Sequence, residues 1–189
     1  MIEISSWPQA ETPPGVRAQI SALQEQAWPS NDGAARGVLH DPELLPLSVV
    51  LAVDGLVVTA LDILSKPLEH AGRRYAASGL SAVVTDQARS RRGYGTQLAA
   101  AALRLIAASG ADVGIFTCDP ALQTFYEGAG WQPLPGAVLV GGSRDEPFPS
   151  DQLGKVVLAR FFSEQALAGA ETFTQARIEL YPGNVCKLW

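Results

Sequence analysis

The chain has 189 residues, a length that fits one domain with a substantial buried core. Hydrophobic residues make up 47% of it and charged residues 17%, the balance of an ordinary globular protein. The formal net charge of -5 argues against nucleic acid as the main partner and favours a cationic acceptor. We therefore predict a single domain over residues 1–189.

The sequence shows no targeting segment. The opening residues, MIEISSWPQ, lack the basic and apolar regions of a signal peptide, and no apolar run is long enough to span a bilayer. We therefore expect a cytoplasmic protein without a membrane partner. Cys118 and Cys186 are too few for a disulfide framework and do not form a zinc pattern with the two histidines, so we expect no metal.

The first part of the chain predicts turns, one helix and a loop. Residues 1–13 are rich in turn formers, and a helix follows that stops at Trp28-Pro29, because proline cannot continue it. Its apolar face consists of Val16, Ile20, Leu23 and Ala27. The loop then runs through Asp32-Gly33 and His40-Asp41-Pro42, with room for one helical turn. His40 has the chemistry of a base, but its place beside Asp41-Pro42 favours an ordinary loop residue.

An antiparallel meander is predicted next. Asp54-Gly55 separates the apolar runs Leu47–Val53 and Leu56–Leu64, which is a strong hairpin signal. A second turn over residues 70–73 leads into a strand that ends at Val84.

Asp62 is the unusual residue of this meander. In strict alternation it shares a face with Leu56, Val58, Ala60 and Leu64, where a carboxylate needs a partner or water. Two interpretations stay open, namely a strand end or polar seam, and a contact with an acceptor amine.

Residues 79–131 carry the strongest functional signal. Gly79–Val84 predicts a buried strand, a basic loop follows, and apolar residues at helical spacing then lead to Gly110 at the C′ position. Val113–Thr117 predicts a second buried strand, and Asp119-Pro120 predicts the start of another helix that carries Phe125 and Tyr126.

The basic loop is suited to a pyrophosphate. Gly93 and Gly95 let the backbone approach a ligand closely, and the N–H groups of the helix start point out of the loop. Three arginines stand alongside: Arg89, Arg91 and Arg92. A surface turn with solvated charge is the alternative. A dinucleotide fingerprint fits less well, because Leu98 stands where its third glycine would be.

Two motifs in this stretch resemble the GNAT acetyltransferase superfamily. Residues 90–95, SRRGYG, are similar to its acetyl-CoA loop, Arg/Gln-x-x-Gly-x-Gly/Ala, except that Ser90 stands first and Arg89 would serve in its place. Residues 125–131, FYEGAGW, resemble its FYxxxGF/W signature. The resemblance implies an α/β (α+β) fold, with a mixed, mostly antiparallel central sheet, a splayed strand pair and flanking helices.

The resemblance also implies a reaction, direct transfer of an acetyl group from acetyl-CoA to a primary amine. The thioester is already activated, so the protein mainly positions the reactants and stabilises developing charge. Tyr126 would protonate the departing thiolate, and its alternative role is a core aromatic. The residues assigned to the cofactor are Ala82, Val83, Val84, Arg89, Arg91, Arg92, Gly93, Tyr94, Gly95 and Thr96.

The amine must arrive neutral, which requires a carboxylate or a carboxylate-bound water. The candidates are Asp62, Asp119, Glu179 and the terminal carboxylate, of which Asp119 is better explained as a helix cap. The tail resembles the aminoglycoside 2′-N-acetyltransferases, in which a Gly-Asp-Val-Trp ending places the terminal tryptophan in the acceptor site. Here residues 183–186 read GNVC, and Trp189 is either the corresponding acceptor residue or a packing residue.

The remaining elements and several alternative functions complete the prediction. Beyond Trp131 we expect a strand over 132–140, a loop over 141–151, a strand over 155–162, a helical turn over 163–169 and a last strand over 173–180. The alternatives are a non-catalytic CoA- or drug-binding module, an enzyme that acetylates a protein amine, a polyamine or an amino acid, and a binder of another nucleotide. The expected partner is a small, aminoglycoside-like amine, and a homodimer is left open.

Overall fold

A computed structural model describes residues 1–29, 37, 39–183 and 188–189. The described residues form four α-helices: α1 (Pro14–Ala27), α2 (Tyr94–Ala108), α3 (Gln123–Gly128) and α4 (Glu164–Gly169). They also form ten strands: β1 (Ile2–Pro8), β2 (Leu47–Val53), β3 (Leu56–His70), β4 (Arg73–Thr85), β5 (Val113–Cys118), β6 (Gln132–Pro133), β7 (Val138–Gly142), β8 (Pro147–Pro149), β9 (Val156–Phe161) and β10 (Arg177–Glu179).

The strands form two sheets. The central sheet has seven strands in the order β1-β2-β3-β4-β5-β9-β6, and its neighbours are antiparallel except for the parallel pair β4 and β5. The smaller sheet has three strands in the order β10-β7-β8. The predicted fold class, a mixed and mostly antiparallel central sheet with flanking helices, is confirmed.

The meander and the two long helices follow the sequence pattern. Asp54-Gly55 joins β2 to β3, and β3 continues past the predicted end at Leu64 to His70, where the second turn leads into β4. Ile20 and Leu23 of α1 pack in a cluster with apolar residues of β2, β3 and β4. The buried face of α2 faces the main core, and the helix is followed by Gly110 with a φ of 83°.

The N-terminal prediction is wrong for most of residues 1–13. Ile2–Pro8 is not a run of turns but the edge strand β1, paired with β2 from Ile2–Val53 to Pro8–Leu47. An edge strand has one neighbour, and the side chains of this one are mostly exposed. Its apolar alternation is therefore weak, which is why the turn formers dominated the interpretation. One helical turn does lie in the following loop, at Pro42–Leu44.

The C-terminal third consists of more and shorter elements than the sequence predicted. The single strand predicted over 132–140 is two strands in different sheets, because a turn at Gly136 (φ 69°) separates β6 from β7. The predicted loop over 141–151 contains β8 and the start of a 3₁₀ turn, Ser150–Leu153. The strand predicted over 173–180 shortens to β10, because Ala170–Phe173 forms another 3₁₀ turn. The strand and helical turn predicted between them are present as β9 and α4.

The parallel pair β4 and β5 diverges near its start. In the described part of the chain their ladder consists of Ala77–Val113 and Ser78–Gly114, after which the two strands separate. The opening between them is the feature around which the candidate site is built. Across the described residues, no helix is long and apolar enough to cross a membrane.

Candidate functional site

A cleft of about 560 Å³ lies where β4 and β5 separate. Its walls include the backbone segment 80–83 of β4, the end of β5 and the helix α3. The polar and aromatic residues that line it include His40, Cys118, Asp119, Tyr126, Lys155 and Trp189. Several of the residues singled out in the sequence therefore meet in one cavity.

A bulge in β4 shapes one wall of this cleft. Ser81 pairs with Asp62 and Val84 with Ala60, so Ala82 and Val83 together oppose a single residue of β3. Ala82 has a φ of 49°, in the left-handed region. Beyond Ser78, the described residues of β4 no longer pair with β5. The backbone N–H and C=O groups on that edge of β4 can therefore bind an extended ligand. The Val84 side chain packs in the α1 cluster, and a role for its backbone in cofactor binding stays a prediction.

The basic loop is ordered by one ion pair. The Asp86 carboxylate accepts a hydrogen bond from the Ala88 N–H at 3.0 Å and lies 2.7 Å from the Arg89 guanidinium. Arg89 is thus held against the loop, whereas Arg91 and Arg92 are exposed. The three arginines predicted to face a phosphate lie in one loop at the start of α2, and their role in binding stays a prediction.

The two glycines of the loop are required for different physical reasons. Gly93 is the N-cap of α2 with a φ of 78°, and it has no side chain to accept from the first-turn N–H groups, which include those of Tyr94 and Thr96. Gly95 is buried, and a Cβ there would lie 3.1 Å from Thr85 Oγ1 and 3.2 Å from the Phe125 ring. Gly93 thus serves the turn, and Gly95 serves the packing of helix against strand.

Tyr126 lies on α3 with its ring in an aromatic cluster. It is buried and packs edge-on against Phe116 at 4.9 Å and Phe125 at 4.7 Å. Burial, followed by the nearby Cys118 and Asp119, raises the pKa of the phenol, so it is protonated at neutral pH. Tyr126 is thus a packing residue that also lines the cleft, and its role as a proton donor stays a prediction.

Asp119 differs from its predicted role. It occupies the N-cap position of the 3₁₀ turn Pro120–Leu122, which precedes α3, but its side chain makes no capping hydrogen bond. Instead, Lys155 Nζ donates to its carboxylate at 2.6 Å. In the same wall, burial and Asp119 raise the pKa of the Cys118 thiol to about 11, although Lys155 acts in the opposite direction.

Asp62 lies at the centre of a buried polar network. Ser48 Oγ donates to its Oδ1 at 2.6 Å, while His40 Nε2 lies 3.0 Å from Oδ2 and Gln9 Nε2 donates to Oδ2 at 3.5 Å. The strict alternation assumed for β3 fails, because Val58 packs in the main core while Ala60 packs in the α1 cluster. Asp62 is therefore a buried carboxylate with hydrogen-bond partners. Of the two interpretations left open, the polar seam matches these surroundings, and a contact with an acceptor amine stays a prediction.

His40 is the residue that the sequence analysis undervalued. It does lie in the loop before Pro42–Leu44, but it is buried, and its backbone N–H donates to Gln9 Oε1 at 3.1 Å. No local signal pairs His40 with Asp62, which is 22 residues away in the sequence. The available clue was Asp62 itself, since a carboxylate in an apolar strand requires a buried partner.

Trp189 closes the vertex between the splayed strands. Its indole N–H donates to the Ile115 carbonyl at 2.8 Å, one residue beyond the last β4–β5 pair. A Cβ at Gly79 would lie 2.4 Å from that indole nitrogen, so β4 needs a glycine there. Trp189 both packs and lines the cleft, while a role for its α-carboxylate stays a prediction. Asn184 and Cys186 lie outside the described residues.

Glu179 lies apart from this cleft. It is exposed on β10, 3.8 Å from Arg144. It lines a different cavity, together with Lys66 and His70. Of the carboxylate side chains proposed as acceptor residues, Asp119 lines the splayed cleft and Asp62 borders it through His40.

Comparisons with known proteins agree with this geometry. The family model described as "Acetyltransferase (GNAT) domain" matches residues 16–134. In a comparison by sequence, no curated protein matches the chain.

Solved structures show the same fold at low identity. The GNAT family N-acetyltransferase YhbS of Escherichia coli, solved with CoA, is 20% identical, with a TM-score of 0.61 over 95% of this chain and 88% of its own. ElaA of Escherichia coli is 17% identical, with a TM-score of 0.59 over 85% of this chain and 99% of its own. A GNAT family acetyltransferase of Brucella melitensis, solved with acetyl-CoA, is 21% identical, with a TM-score of 0.50 over 70% of this chain and 83% of its own.

Proposed function

Because the chain belongs to the GNAT acetyltransferase family, we propose that it transfers an acetyl group from acetyl-CoA to a primary amine of a small acceptor. The observation that carries the proposal is the cleft between β4 and β5, which joins the free edge of a bulged strand to the Tyr126 phenol. A thioester held against that strand edge would have a proton donor on the opposite wall.

The cofactor would be bound mainly by backbone. The free edge of β4 at Ala82 offers N–H and C=O groups to the amide-containing arm of CoA, as a neighbouring strand would. The first-turn N–H groups of α2 and the exposed Arg91 and Arg92 would take the pyrophosphate, because a helix N-terminus and guanidinium groups both favour anions. No acid or base is needed for this part of the work.

The chemistry itself needs one proton moved on each side of the thioester. The amine nitrogen attacks the carbonyl carbon, and the bond from that carbon to sulfur breaks as the amide forms. Tyr126 would protonate the sulfur, and its raised pKa keeps the proton available over the physiological range. Trp189 would form part of the acceptor site, and an aminoglycoside with its several amines is one acceptor class to test.

The proposal is tested by combining a binding assay with a turnover assay. Titration calorimetry with CoA, acetyl-CoA and ATP asks whether the loop prefers the CoA group over another nucleotide. Release of CoA thiol is then measured with a panel of amines, namely alkylamines, a polyamine, an aminoglycoside and a lysine peptide. Amine-dependent thiol release supports the proposal. Binding of acetyl-CoA without release by any amine would favour a non-catalytic module.

A further inference from the structure

We infer that the cleft selects a monoamine that carries an apolar group, with Trp28 and Leu153 binding that group and Lys155 excluding amines of several charges. The inference rests on the proposed function and names the class of its acceptor. It starts from three large apolar side chains that line this one cleft although each is about half exposed. They are Trp28, Leu122 and Leu153, with exposures of 50%, 44% and 48%.

These three side chains come from separate parts of the chain. Trp28 follows the last residue of α1, Leu122 ends the 3₁₀ turn before α3, and Leu153 ends the 3₁₀ turn before β9. Single exposed apolar side chains are common on protein surfaces, whereas a group of them at one cavity is typical of a ligand-binding groove. Because folding brings all three to the same cavity without burying them, their apolar surface is suited to a ligand.

Trp28 and Leu153 lie outside the segment proposed for the cofactor. That segment runs from the β4 edge to the start of α2, within residues 80–96, and neither side chain belongs to it. Leu122 is close in sequence to Tyr126, which lines the cleft at the position proposed for the thioester. We therefore assign the apolar group of the acceptor to Trp28 and Leu153, because an indole and a leucine side chain together can cover an alkyl chain or an aromatic ring.

The charges at the cleft do not suit an acceptor with several ammonium groups. Among the described residues that line it, Asp119 supplies the one carboxylate side chain, and Lys155 Nζ already donates to it at 2.6 Å. His40, which also lines the cleft, is paired with the buried Asp62. A second ammonium near Asp119 would be repelled by Lys155. A monoamine needs one anionic partner at most, and the α-carboxylate of Trp189 stays the candidate for it.

The acceptor is then an alkylamine or an arylalkylamine with one primary amino group. Its nitrogen forms a bond to the carbonyl carbon of the thioester, and the carbon–sulfur bond breaks. The nitrogen loses one proton to water and the sulfur gains one. The products are the N-acetylated amine and CoA thiol.

A series of alkylamines tests the apolar group in the wild-type protein. Propylamine, butylamine, pentylamine and hexylamine each have one amino group of nearly equal basicity, and they differ in apolar length. Release of CoA thiol at saturating acetyl-CoA gives kcat/KM for each amine. We expect kcat/KM to rise about two- to fourfold with each methylene, the upper factor being that of a fully buried methylene.

Trp28→Ala and Leu153→Ser remove the apolar contacts one at a time. Each should lower kcat/KM for hexylamine by about tenfold and that for propylamine by less than about twofold, so the series becomes flatter. Leu167→Ser is the matched control, because Leu167 on α4 is 59% exposed and lies outside the lining of the cleft. Acetyl-CoA affinity by calorimetry and the melting temperature are measured for each variant and should stay near the wild-type values.

Hexylamine and hexamethylenediamine test the charge, because they differ only by a second amino group at the far end of the chain. The wild-type protein should prefer hexylamine by about tenfold or more in kcat/KM, since the second ammonium would lose hydration at the apolar side chains. Lys155→Met keeps an unbranched apolar side chain and frees the Asp119 carboxylate. It should reduce this preference by about two- to fivefold, the range for an exposed ion pair. Adding Asp119→Asn should restore the wild-type preference.

Each outcome decides for or against the inference. A flat alkylamine series, or a wild-type preference for the diamine or an aminoglycoside, would overturn it while leaving acetyl transfer intact. Weaker acetyl-CoA binding in Trp28→Ala and Leu153→Ser would also overturn it, because these side chains would then serve the cofactor. An unchanged diamine preference in Lys155→Met would overturn the part given to Lys155.

The failure of the proposed function looks different, because no amine would then release thiol from the wild-type protein. A rising series that both apolar variants flatten, with acetyl-CoA affinity kept, supports the inference.

Discussion

The two sides of the cleft are built in different ways. The proposed cofactor side consists of the β4 edge, the basic loop and the start of α2, which follow one another within residues 80–96. The proposed acceptor side adjoins His40, which lines the cleft and belongs to a buried network with Gln9, Ser48 and Asp62 whose hydrogen bonds join residues 14 to 53 apart in the sequence. A local turn and helix start can hold a phosphate wherever they fold, whereas the buried network exists only once the sheet has its register.

This difference predicts that substitutions on the two sides change different quantities. Cofactor-side variants should change acetyl-CoA affinity, because in the proposed complex the N–H groups and charges of this side bind the cofactor. Acceptor-side variants should change turnover instead. Tyr126 and Trp189 lie between the two sides. Their variants therefore test whether acetyl-CoA affinity and turnover change separately.

The largest effect is expected for Tyr126→Phe. Removing the proton donor should lower kcat by about 10²–10⁴-fold, while the ring, and with it the aromatic packing, is retained. Acetyl-CoA affinity by calorimetry should be unchanged. Because the pKa of Tyr126 is raised, the wild-type kcat should show no basic limb from this residue up to about pH 10. Wild-type turnover in the variant would reduce Tyr126 to a packing residue.

Gly79→Ala should open the vertex where the two sides meet. The added Cβ would lie 2.3 Å from the Ile115 carbonyl and 2.4 Å from the Trp189 indole nitrogen, so the indole or β5 must move. We expect a loss of about 3 kcal/mol in the free energy of unfolding, at the upper end for overpacking.

Gly15→Ala is the matched control for this substitution. A Cβ at Gly15, within α1, meets nothing within 4 Å, and alanine is favoured over glycine in a helix. The free energy of unfolding of both variants is measured by denaturant unfolding, and their acetyl-CoA affinity is measured by titration. Equal stability of the two variants would show that the vertex tolerates displacement of Trp189.

Gly93→Val should weaken the cofactor side alone. Its φ of 78° is costly for a branched residue, by about 1–2 kcal/mol, and the turn at the N-cap would shift to relieve it. We expect a rise of about tenfold in the Kd for acetyl-CoA, measured by calorimetry.

Gly110→Val is the comparison at the opposite end of α2. Gly110 has a φ of 83° with open space around it, so valine there carries the same backbone cost away from the loop. Its Kd should equal that of the wild type. If both variants weakened acetyl-CoA binding alike, loss of helix stability rather than a phosphate site would explain the result.

The smallest effect concerns Cys118. With a pKa of about 11, its thiolate fraction at pH 8 is about 10⁻³, so alkylation by iodoacetamide should be about two orders of magnitude slower than for an ordinary cysteine. Mass spectrometry on a Cys186→Ser background measures it. The pKa of Cys118 in the folded state lies above the ordinary thiol value of 9.0, so the stabilising contribution is present below about pH 9 and is lost as the pH rises through about 11. Rapid alkylation at pH 8 would contradict this environment.

The local parts of the fold could be predicted from the sequence. Asp54-Gly55 encodes its hairpin through backbone conformation, and Gly110 ends α2 for the same reason. The motifs at 90–95 and 125–131 could be read because each is contiguous in the sequence and begins or forms a helix, although Gly95 and Tyr126 also pack against residues outside their own motif. These features depend on neighbours in sequence, which a pattern can show.

The remaining parts depend on partners far away in the sequence. β1 was missed because pairing with β2, rather than burial, holds it in the sheet. The split between β6 and β7 depends on which sheet each joins, and a strand propensity does not specify that choice. The His40–Asp62 pair needs the register of β3 and the path of the loop together, so neither residue alone predicts it.

The hydrogen bond from Trp189 to Ile115 also bears on the order in which the protein folds. It spans 74 residues, whereas the turn between β2 and β3 is two residues long. Hairpins close at little entropic cost, so they can form early, whereas a contact of such long separation is expected to form after the transition state. The indole then has little influence on how fast the chain folds. It lengthens the lifetime of the folded state, because the vertex must open before β4 and β5 can part.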